Sequence, residues 1–339
     1  MNGMTRAPSH HVPFRAIACG TPALFWLASL LLGVGASGVG RPADVAVTTN
    51  VDAVRFAFSA EMFTDVNEND AKASVKAWAQ AFSRERHVPM SADPIILSGL
   101  DELKKSLRSG AIDGAAVPTQ EYLDLEPGLR GTNLFLSSNG GRFTEEYLLL
   151  VRADSGIADL GGLRGRNVIL FDNARASLAP LWLDAIFLQA GLGTATNFFG
   201  QMLAESKLVK VVLPVFFRQQ DACVVTRRGF AIMCEMNPQV QAQLRVLATS
   251  PELVPSVGFL RVGFDSPLRD NMMYALRGLE QSVSGTQVLT LFQIDQLQEA
   301  PASLLNTAQD LVATHQRLML AFETKTHPLT SSAAAPGQP

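Results

Sequence analysis

A strand, a loop and a helix follow one another in residues 167–189, and this segment constrains the fold more than any other. Residues 167–171 (NVILF) form the short apolar run of a buried strand, and residues 175–189 have the spacing of an amphipathic helix. Open α/β sheets bind ligands where a strand ends. Free backbone N–H groups and the helix dipole favour an anion there. The segment therefore predicts an α/β fold with an anion-binding loop at residues 172–175.

Strands and helices alternate in two series along the chain, which predicts two sheets made largely of parallel strands. The first series has the order strand, helix, strand, helix, strand: residues 54–58, 69–84, 94–97, 100–109 and 112–117. The second series has the same order: residues 167–171, 175–189, 209–215, 218–227 and 230–234. Residues 134–142 are predicted to be rich in turns. Three further strands are predicted at residues 146–151, 245–248 and 259–262, and two further helices at residues 268–282 and 301–323.

Because the second series is inserted into the first, we predict a bilobed clamshell with two hinge crossings between its lobes. It has two parallel or mixed sheets with helices on both faces. Residues 45–145 and 243–325 are assigned to lobe 1, and residues 146–242 to lobe 2. Ligands in such a fold lie in the cleft and are held by loops from both lobes.

The N-terminus has the pattern of a signal peptide, predicted to span residues 1–36. Arg6 and Arg15 precede an apolar run at residues 23–32, and small residues follow it. An uncleaved anchor is the alternative, although the run is short beside the ~20 residues that a spanning helix needs. The last residues, 326–339, are predicted to be disordered from their composition.

Composition and motifs exclude several classes of function. A net charge of −3 and an aromatic content of 7% give no basic or stacking surface for nucleic acid. No HExxH, GxSxG or Walker motif is present, so no catalytic residue is assigned. The five histidines are scattered, and neither a metal nor a cofactor is predicted. Cys223 and Cys234 either form a disulfide in an oxidising compartment or are two small buried side chains.

Four segments resemble the phosphonate-type periplasmic substrate-binding proteins of ABC importers, and this resemblance implies the bilobed fold of the type II periplasmic-binding superfamily. They are residues 98–117 (SGLDELKKSLRSGAIDGAAV), 145–168 (EEYLLLVRADSGIADLGGLRGRNV), 171–192 (FDNARASLAPLWLDAIFLQAGL) and 217–235 (FRQQDACVVTRRGFAIMCE). The resemblance implies a non-enzymatic receptor in the periplasm of a Gram-negative bacterium. Such a receptor closes on a small anionic or zwitterionic ligand, similar to a phosphonate or phosphate ester, and delivers it to an ABC permease. It meets the membrane only through its partner.

The chain departs from the family pattern at the phosphate-binding block. Where the family has Ser-Thr-Ser-Gly, this chain has Arg175, Ala176, Ser177 and Leu178. The alanine cannot donate a hydroxyl hydrogen bond, and the leucine crowds the approach that glycine permits. Arg175 can replace the lost hydroxyls with a bidentate guanidinium fork. The histidine of a later family motif is Gln220 here, so a changed ligand is a further alternative.

Ten polar or aromatic residues are candidates for the ligand site because they lie at predicted strand ends, at the crossing or near the helix start. They are Ser59, Glu61, Ser98, Thr119, Tyr147, Asn173, Arg175, Ser177, Gln220 and Glu235. Each has an ordinary structural alternative. Asn173 and Ser177 can cap a helix, Tyr147 can pack at the hinge, and the charged residues can remain in water.

Two other functions stay open beside the transport receptor. The lost family residues and a retained N-terminal anchor would suit a sensory clamshell that presents its surface to a membrane sensor kinase or another envelope protein. A periplasmic enzyme on the same scaffold would require a buried acid–base pair in the cleft.

Overall fold

A computed structural model describes residues 53–64, 66–265, 267–291 and 294–326, all of them in one compact unit of residues 50–339. The predicted signal peptide, residues 1–36, lies outside the described residues, as does the predicted tail apart from Thr326. Within the part of the chain described, no helix is both long and apolar enough to cross a membrane.

Eleven strands in the described part of the chain form two sheets. The strands are β1 (Phe56–Ser59), β2 (Ile95–Leu97), β3 (Gly114–Pro118), β4 (Leu134–Ser138), β5 (Tyr147–Arg152), β6 (Asn167–Phe171), β7 (Gln201–Glu205), β8 (Ala222–Thr226), β9 (Leu244–Thr249), β10 (Ser256–Leu260) and β11 (Gln296–Ala300). The larger sheet has the order β11-β4-β10-β3-β1-β2, and the smaller sheet has the order β7-β6-β8-β5-β9. Both sheets mix parallel and antiparallel pairs, which confirms the predicted fold class.

Eleven α-helices connect these strands in the same part of the chain. They are α1 (Glu68–Arg86), α2 (Leu100–Ser109), α3 (Thr119–Leu123), α4 (Ala179–Gln189), α5 (Ala195–Phe198), α6 (Leu208–Phe216), α7 (Arg227–Met236), α8 (Pro238–Gln243), α9 (Pro267–Leu276), α10 (Val283–Leu291) and α11 (Asn306–Thr326). We call the larger sheet with its helices lobe 1 and the smaller sheet with its helices lobe 2.

The first predicted series is confirmed, since β1, α1, β2, α2 and β3 follow in the expected order. Asn67 caps α1 by accepting a hydrogen bond from the Asp70 backbone N–H, and Val75, Trp78 and Phe82 on one face of the helix are buried. Gly110 ends α2 with a left-handed φ of 66°, a conformation that glycine adopts without a steric penalty.

The second predicted series is correct for its first strand and first helix, which are β6 and α4, and wrong after them. Residues 209–215 (VKVVLPV), predicted as a strand, lie in helix α6, and residues 230–234, also predicted as a strand, lie in helix α7. The helix predicted at residues 218–227 contains strand β8 instead. Strand β7 was not predicted. The apolar run in α6 buries Val211, Val212 and Val215 against lobe 2, and a short apolar run of this kind does not separate helix from strand.

Two further placements differ from the predicted lobe boundaries. Strand β9 pairs with β5 in lobe 2, although residues 245–248 were predicted to return to lobe 1. Helix α11 lies against α4 of lobe 2, where His315 Nε2 is 2.7 Å from Asp184 Oδ2. The stretch predicted as turn-rich, residues 134–142, supplies strand β4 of lobe 1.

Two segments cross between the sheets, residues 139–146 and 250–255, and they lie side by side. Glu145 and Leu253 exchange two backbone hydrogen bonds of 2.8 and 2.9 Å. The Ser250 hydroxyl accepts a hydrogen bond from the Tyr147 backbone N–H at 2.7 Å. This pair of crossings is the predicted hinge, and α11 adds a third connection from lobe 1 to lobe 2.

Candidate functional site

The loop after β6 begins at the edge of lobe 2 that faces lobe 1. Asn173 precedes a short 3₁₀ turn, Ala174–Ala176, and its side chain accepts a hydrogen bond from the Arg175 backbone N–H at 3.0 Å. The turn sets the direction of Arg175, and α4 starts three residues after it. On the other side of the cleft, the Thr64 hydroxyl donates to the Asp172 carbonyl at 3.3 Å. The two lobes therefore touch at this loop.

Arg175 is paired with a carboxylate of the hinge. Its Nε donates to Glu145 Oε1 at 2.5 Å, and the two side chains are 18% and 6% exposed. Its Nη2 is buried and has no hydrogen-bond partner among the described residues. Buried polar groups are nearly always hydrogen-bonded, so this nitrogen has an unused capacity to donate a hydrogen bond.

Ser177 and Thr119 meet at one backbone oxygen of the second crossing. The Ser177 hydroxyl donates to the Pro255 carbonyl at 2.8 Å, and the Thr119 backbone N–H donates to the same carbonyl at 2.9 Å. The predicted candidates from the two lobes are thus brought together, but the protein's own carbonyl occupies their donors. The Thr119 hydroxyl is buried and has no partner in the described part of the chain.

Tyr147 is fully buried beside this loop. Its hydroxyl donates to the Arg175 carbonyl at 3.3 Å, and its ring packs 6.3 Å from the ring of Trp182. Burial raises the pKa of the Tyr147 phenol. The side chain supports the Arg175 backbone and packs at the hinge, the structural alternative named for it above.

An acidic group lies on the rim of lobe 1, at the ends of β1 and β3. The Ser59 hydroxyl donates to Glu121 Oε1 at 3.0 Å and accepts from the Glu61 backbone N–H at 3.2 Å. Burial raises the pKa of the Glu121 carboxyl, and the nearby charges of Glu61 and Asp124 add to the rise. The second oxygen of Glu121 is buried with no partner among the residues described.

A cavity of about 230 Å³ lies between these loops and one face of the lobe 1 sheet. Asn173, Ala174 and Arg175 reach it from lobe 2, and Ser256 reaches it from the start of β10. The rest of its wall is mostly apolar: Phe56, Phe58, Met62, Phe63, Val66, Ser74, Trp78, Ala116, Phe135, Ser137, Val257, Gly258, Leu276, Ile294 and Leu297. Of the ten candidates from the sequence, Asn173 and Arg175 line this cavity.

Three candidates lie away from the others. The exposed Ser98 donates to Glu102 Oε2 at 2.7 Å and serves the start of α2. Gln220 precedes β8, at the opposite end of the lobe 2 sheet from the Arg175 loop. Glu235 is exposed near the end of helix α7, whereas the sequence placed it at a strand end. The last two were misplaced because the strand and helix assignments of this region were exchanged.

The family's phosphate-binding block has become part of the core in this chain. Ala176 and Leu178 are 2% and 0% exposed and belong to a cluster of buried side chains drawn from both lobes. Neither side chain lines the cavity. Arg175 is the residue of this segment that does line it.

Glu145, Glu121, Thr64 and Ser256 were missed by the sequence predictions. Glu145 is 30 residues from its partner Arg175, and Glu121 is 62 residues from Ser59. No local pattern marks pairs so distant in the chain. Thr119 and Pro118 at the end of β3 did mark the region in which Glu121 lies.

Cys223 and Cys234 are free thiols in β8 and α7, so the disulfide alternative is wrong. Both pack in the apolar cluster of lobe 2, and burial raises the pKa of each thiol. Among the described residues, no group of three or more His, Cys, Asp or Glu side chains could hold a metal ion.

The family model for the periplasmic substrate-binding protein of ABC phosphonate transporters matches residues 61–305. The chain belongs to this family. It is therefore a periplasmic substrate-binding component of an ABC transporter, and the resemblance seen in the sequence is confirmed. Nothing in the comparisons favours the sensory alternative. No curated protein matches the chain.

Solved structures of similar fold agree with the family. The protein XAC2383 of Xanthomonas citri, bound to chloride ion, has a TM-score of 0.59 and 19% identity, covering 80% of this chain and 100% of its own. A binding component of an ABC phosphonate transporter from Pseudomonas aeruginosa has a TM-score of 0.53 and 16% identity, covering 80% and 88%. PhnD1 of Prochlorococcus marinus, in complex with methylphosphonate, has a TM-score of 0.53 and 14% identity, and the match covers 78% of this chain and 98% of PhnD1.

Proposed function

We propose that this family member binds a small anionic or zwitterionic solute with a phosphonate-like head group. It closes its lobes on the solute and delivers it to an ABC permease without catalysing a reaction, after export to the periplasm. The relative from Prochlorococcus marinus was solved in complex with methylphosphonate, which has such a head group. The observation that carries the proposal is Arg175, which lines the cavity and whose buried Nη2 has no hydrogen-bond partner among the described residues.

Charge limits which head group suits this site. Glu145 neutralises Arg175 in place, and Glu121 and Glu61 add negative charge on the opposite rim. A buried guanidinium that keeps its carboxylate partner still donates from Nη2. A monoanion or a zwitterion therefore fits better than a dianion, because the amine of a zwitterion would face the acidic rim of lobe 1.

The test is a binding screen by isothermal titration and thermal unfolding. The compounds are methylphosphonate, 2-aminoethylphosphonate, phosphite, methanesulfonate and acetate. A ligand at 100 times its Kd should add about 2.7 kcal/mol to the free energy of unfolding. Failure of all five, and of butylphosphonate and phenylphosphonate, to bind would refute the proposal.

Substitution of Arg175 identifies the site, and its design must spare the fold. Arg175→Ala would leave Glu145 buried without its partner, so the double variant Arg175→Gln/Glu145→Gln is used instead. Affinity should fall by about 1.5–3 kcal/mol because a hydrogen bond from a charged donor is lost. The matched control is Arg166→Gln/Asp221→Asn, an ion pair of 3.3 Å at the far end of the same sheet. Equal affinity in the native protein and the Arg175 variant would remove Arg175 from the site.

A further inference from the structure

The cavity exists because small residues lie side by side in the middle of the lobe 1 sheet. Ala116 of β3 is paired in register with Gly258 of β10, and Gly258 is also opposite Phe135 of β4. Because these three residues lie directly opposite one another on adjacent strands, they are on the same face of the lobe 1 sheet. The volume that larger side chains would fill at the first two positions is part of the cavity.

The backbone does not require glycine at position 258. Gly258 is absent from the positive-φ residues of the described chain. A Cβ atom built on it would have its nearest neighbour at 3.6 Å, an ordinary van der Waals contact. A larger residue would therefore fit the strand, and it would take its space from the cavity. The open volume therefore depends on the small residues at positions 116 and 258 and is not imposed by the backbone.

Aromatic side chains from the neighbouring strand β1 and from α1 form another part of the cavity wall. The rings of Phe56 and Phe58 lie 5.4 and 5.3 Å from the ring of Trp78 on α1, in tilted and edge-to-face arrangements. Leu276 and Leu297 close other parts of the wall. Ligand pockets are concave and mostly apolar, and this partly open cavity of about 230 Å³ has that kind of lining.

The polar atoms of the cavity come mainly from the cleft side. Arg175 and Asn173 belong to the lobe 2 loop, and Ser256 is the first residue of β10 at the edge facing that loop. Phe56 begins β1, which places it at the far end of the strand from the cleft. The cavity therefore runs from a cationic donor at the cleft to an apolar interior in lobe 1.

We propose that the solute carries an apolar substituent, an aryl ring or a chain of several carbon atoms, which enters this cavity while the charged head stays at Arg175. The inference rests on the proposed function and adds the substrate class to it. An apolar cavity of about 150 Å³ accommodates a benzene ring, and the cavity here has a volume of about 230 Å³. A methyl group would leave most of the wall without contact.

The experiment compares methylphosphonate, butylphosphonate and phenylphosphonate by isothermal titration to the full mature chain. Toluene, which lacks a head group, is tested in parallel by thermal unfolding. Phenylphosphonate should bind at least about tenfold more tightly than methylphosphonate, because several carbon atoms leave water. Butylphosphonate should lie between them.

Variants that fill the cavity test where the substituent binds. Gly258→Leu should reduce the affinity ratio of phenylphosphonate to methylphosphonate to about one. Ala116→Leu, on the neighbouring strand, gives the same test if the first variant does not fold. The matched control is Gly128→Leu, at an exposed position where a Cβ atom meets nothing within 4 Å. The control should keep the native ratio.

The outcomes separate this inference from the proposed function. Equal binding of all three phosphonates, or a native ratio in both filling variants, overturns the inference and leaves the proposed function standing. Stabilisation by toluene that disappears in Gly258→Leu, with no phosphonate bound, supports the apolar site and refutes the proposed head group. No effect of any compound overturns both.

Discussion

The two rims of the cleft hold their polar groups in different ways. On lobe 2, Arg175 is paired with Glu145 in a buried ion pair that leaves one nitrogen free to donate, as seen within the described chain. On lobe 1, Glu121 has a neutral donor, Ser59, and like charges beside it. A compensated charge is held firmly, whereas an uncompensated carboxylate destabilises the fold near neutral pH. The lobe 2 rim thus holds a compensated charge, and the lobe 1 rim holds an uncompensated one.

The largest effect is expected from breaking the lobe 2 pair. Glu145→Ala should lower the free energy of unfolding by about 3 kcal/mol, because Arg175 is left buried without its carboxylate. Urea denaturation measures the change. Glu146→Ala is the matched control, since Glu146 pairs with the half-exposed Arg227 and its loss should cost less than about 1 kcal/mol. Equal effects at both positions would contradict the contrast between the rims.

A smaller effect is expected on the lobe 1 rim. Ser59→Ala removes the donor to Glu121 and should lower the free energy of unfolding by about 1–2 kcal/mol. The control is Ser98→Ala, because Ser98 donates to Glu102 in a similar but exposed pair. Chemical denaturation of both variants gives the comparison. A larger loss at Ser98 than at Ser59 would show that burial does not set the strength of these bonds.

The pH dependence of stability tests the uncompensated carboxylate. Burial raises the pKa of Glu121 above its ordinary value of 4.5, so the folded chain binds this proton more tightly than the unfolded chain does. The contribution of the protonated Glu121 carboxyl to the free energy of unfolding is complete below pH 4.5 and is lost as the pH rises through the raised pKa. Glu121→Gln should match the native protein in acid and exceed its free energy of unfolding at neutral pH. A variant less stable than the native protein at pH 7 would argue against this account.

The smallest effect is expected where the rims touch. Thr64→Ala removes the hydrogen bond to the Asp172 carbonyl, which lies at an exposed position. The free energy of unfolding should change by no more than about 0.5 kcal/mol. Affinity for a ligand that closes the lobes should fall by a similar amount, measured by titration calorimetry. A loss of affinity greater than tenfold would make this contact part of the binding site.

Sequence patterns predicted lobe 1 better than lobe 2. In α1 and α2 the apolar residues have helical spacing and the ends are marked by Asn67 and Gly110, so local signals agree with the fold. In residues 201–236 the signals conflict. Four of the nine residues of α6 are Val, whose branched side chain favours a strand, and Pro214 lies within the helix. Tertiary packing against lobe 2 decides the outcome there.

The candidate site was predictable only in part, for a related reason. Asn173 and Arg175 were found because a strand end and a helix start define their loop locally. Glu145, Glu121 and the cavity depend on contacts between strands far apart in the chain. Gly258 carries no signal in the sequence, since its effect comes from what lies opposite it in the sheet.

Helix α11 has a consequence for how the chain can be divided. Lobe 2 is one continuous stretch of sequence only if this helix is ignored, yet Ala308 and Val312 of α11 are buried in the same cluster as Leu183 of α4. A fragment of residues 146–249 would therefore present an uncovered apolar surface and aggregate. Premature termination after β11 would have the same result, because it removes the 21 residues of α11. These residues make the protein intolerant of truncation even though none of them lines the cavity.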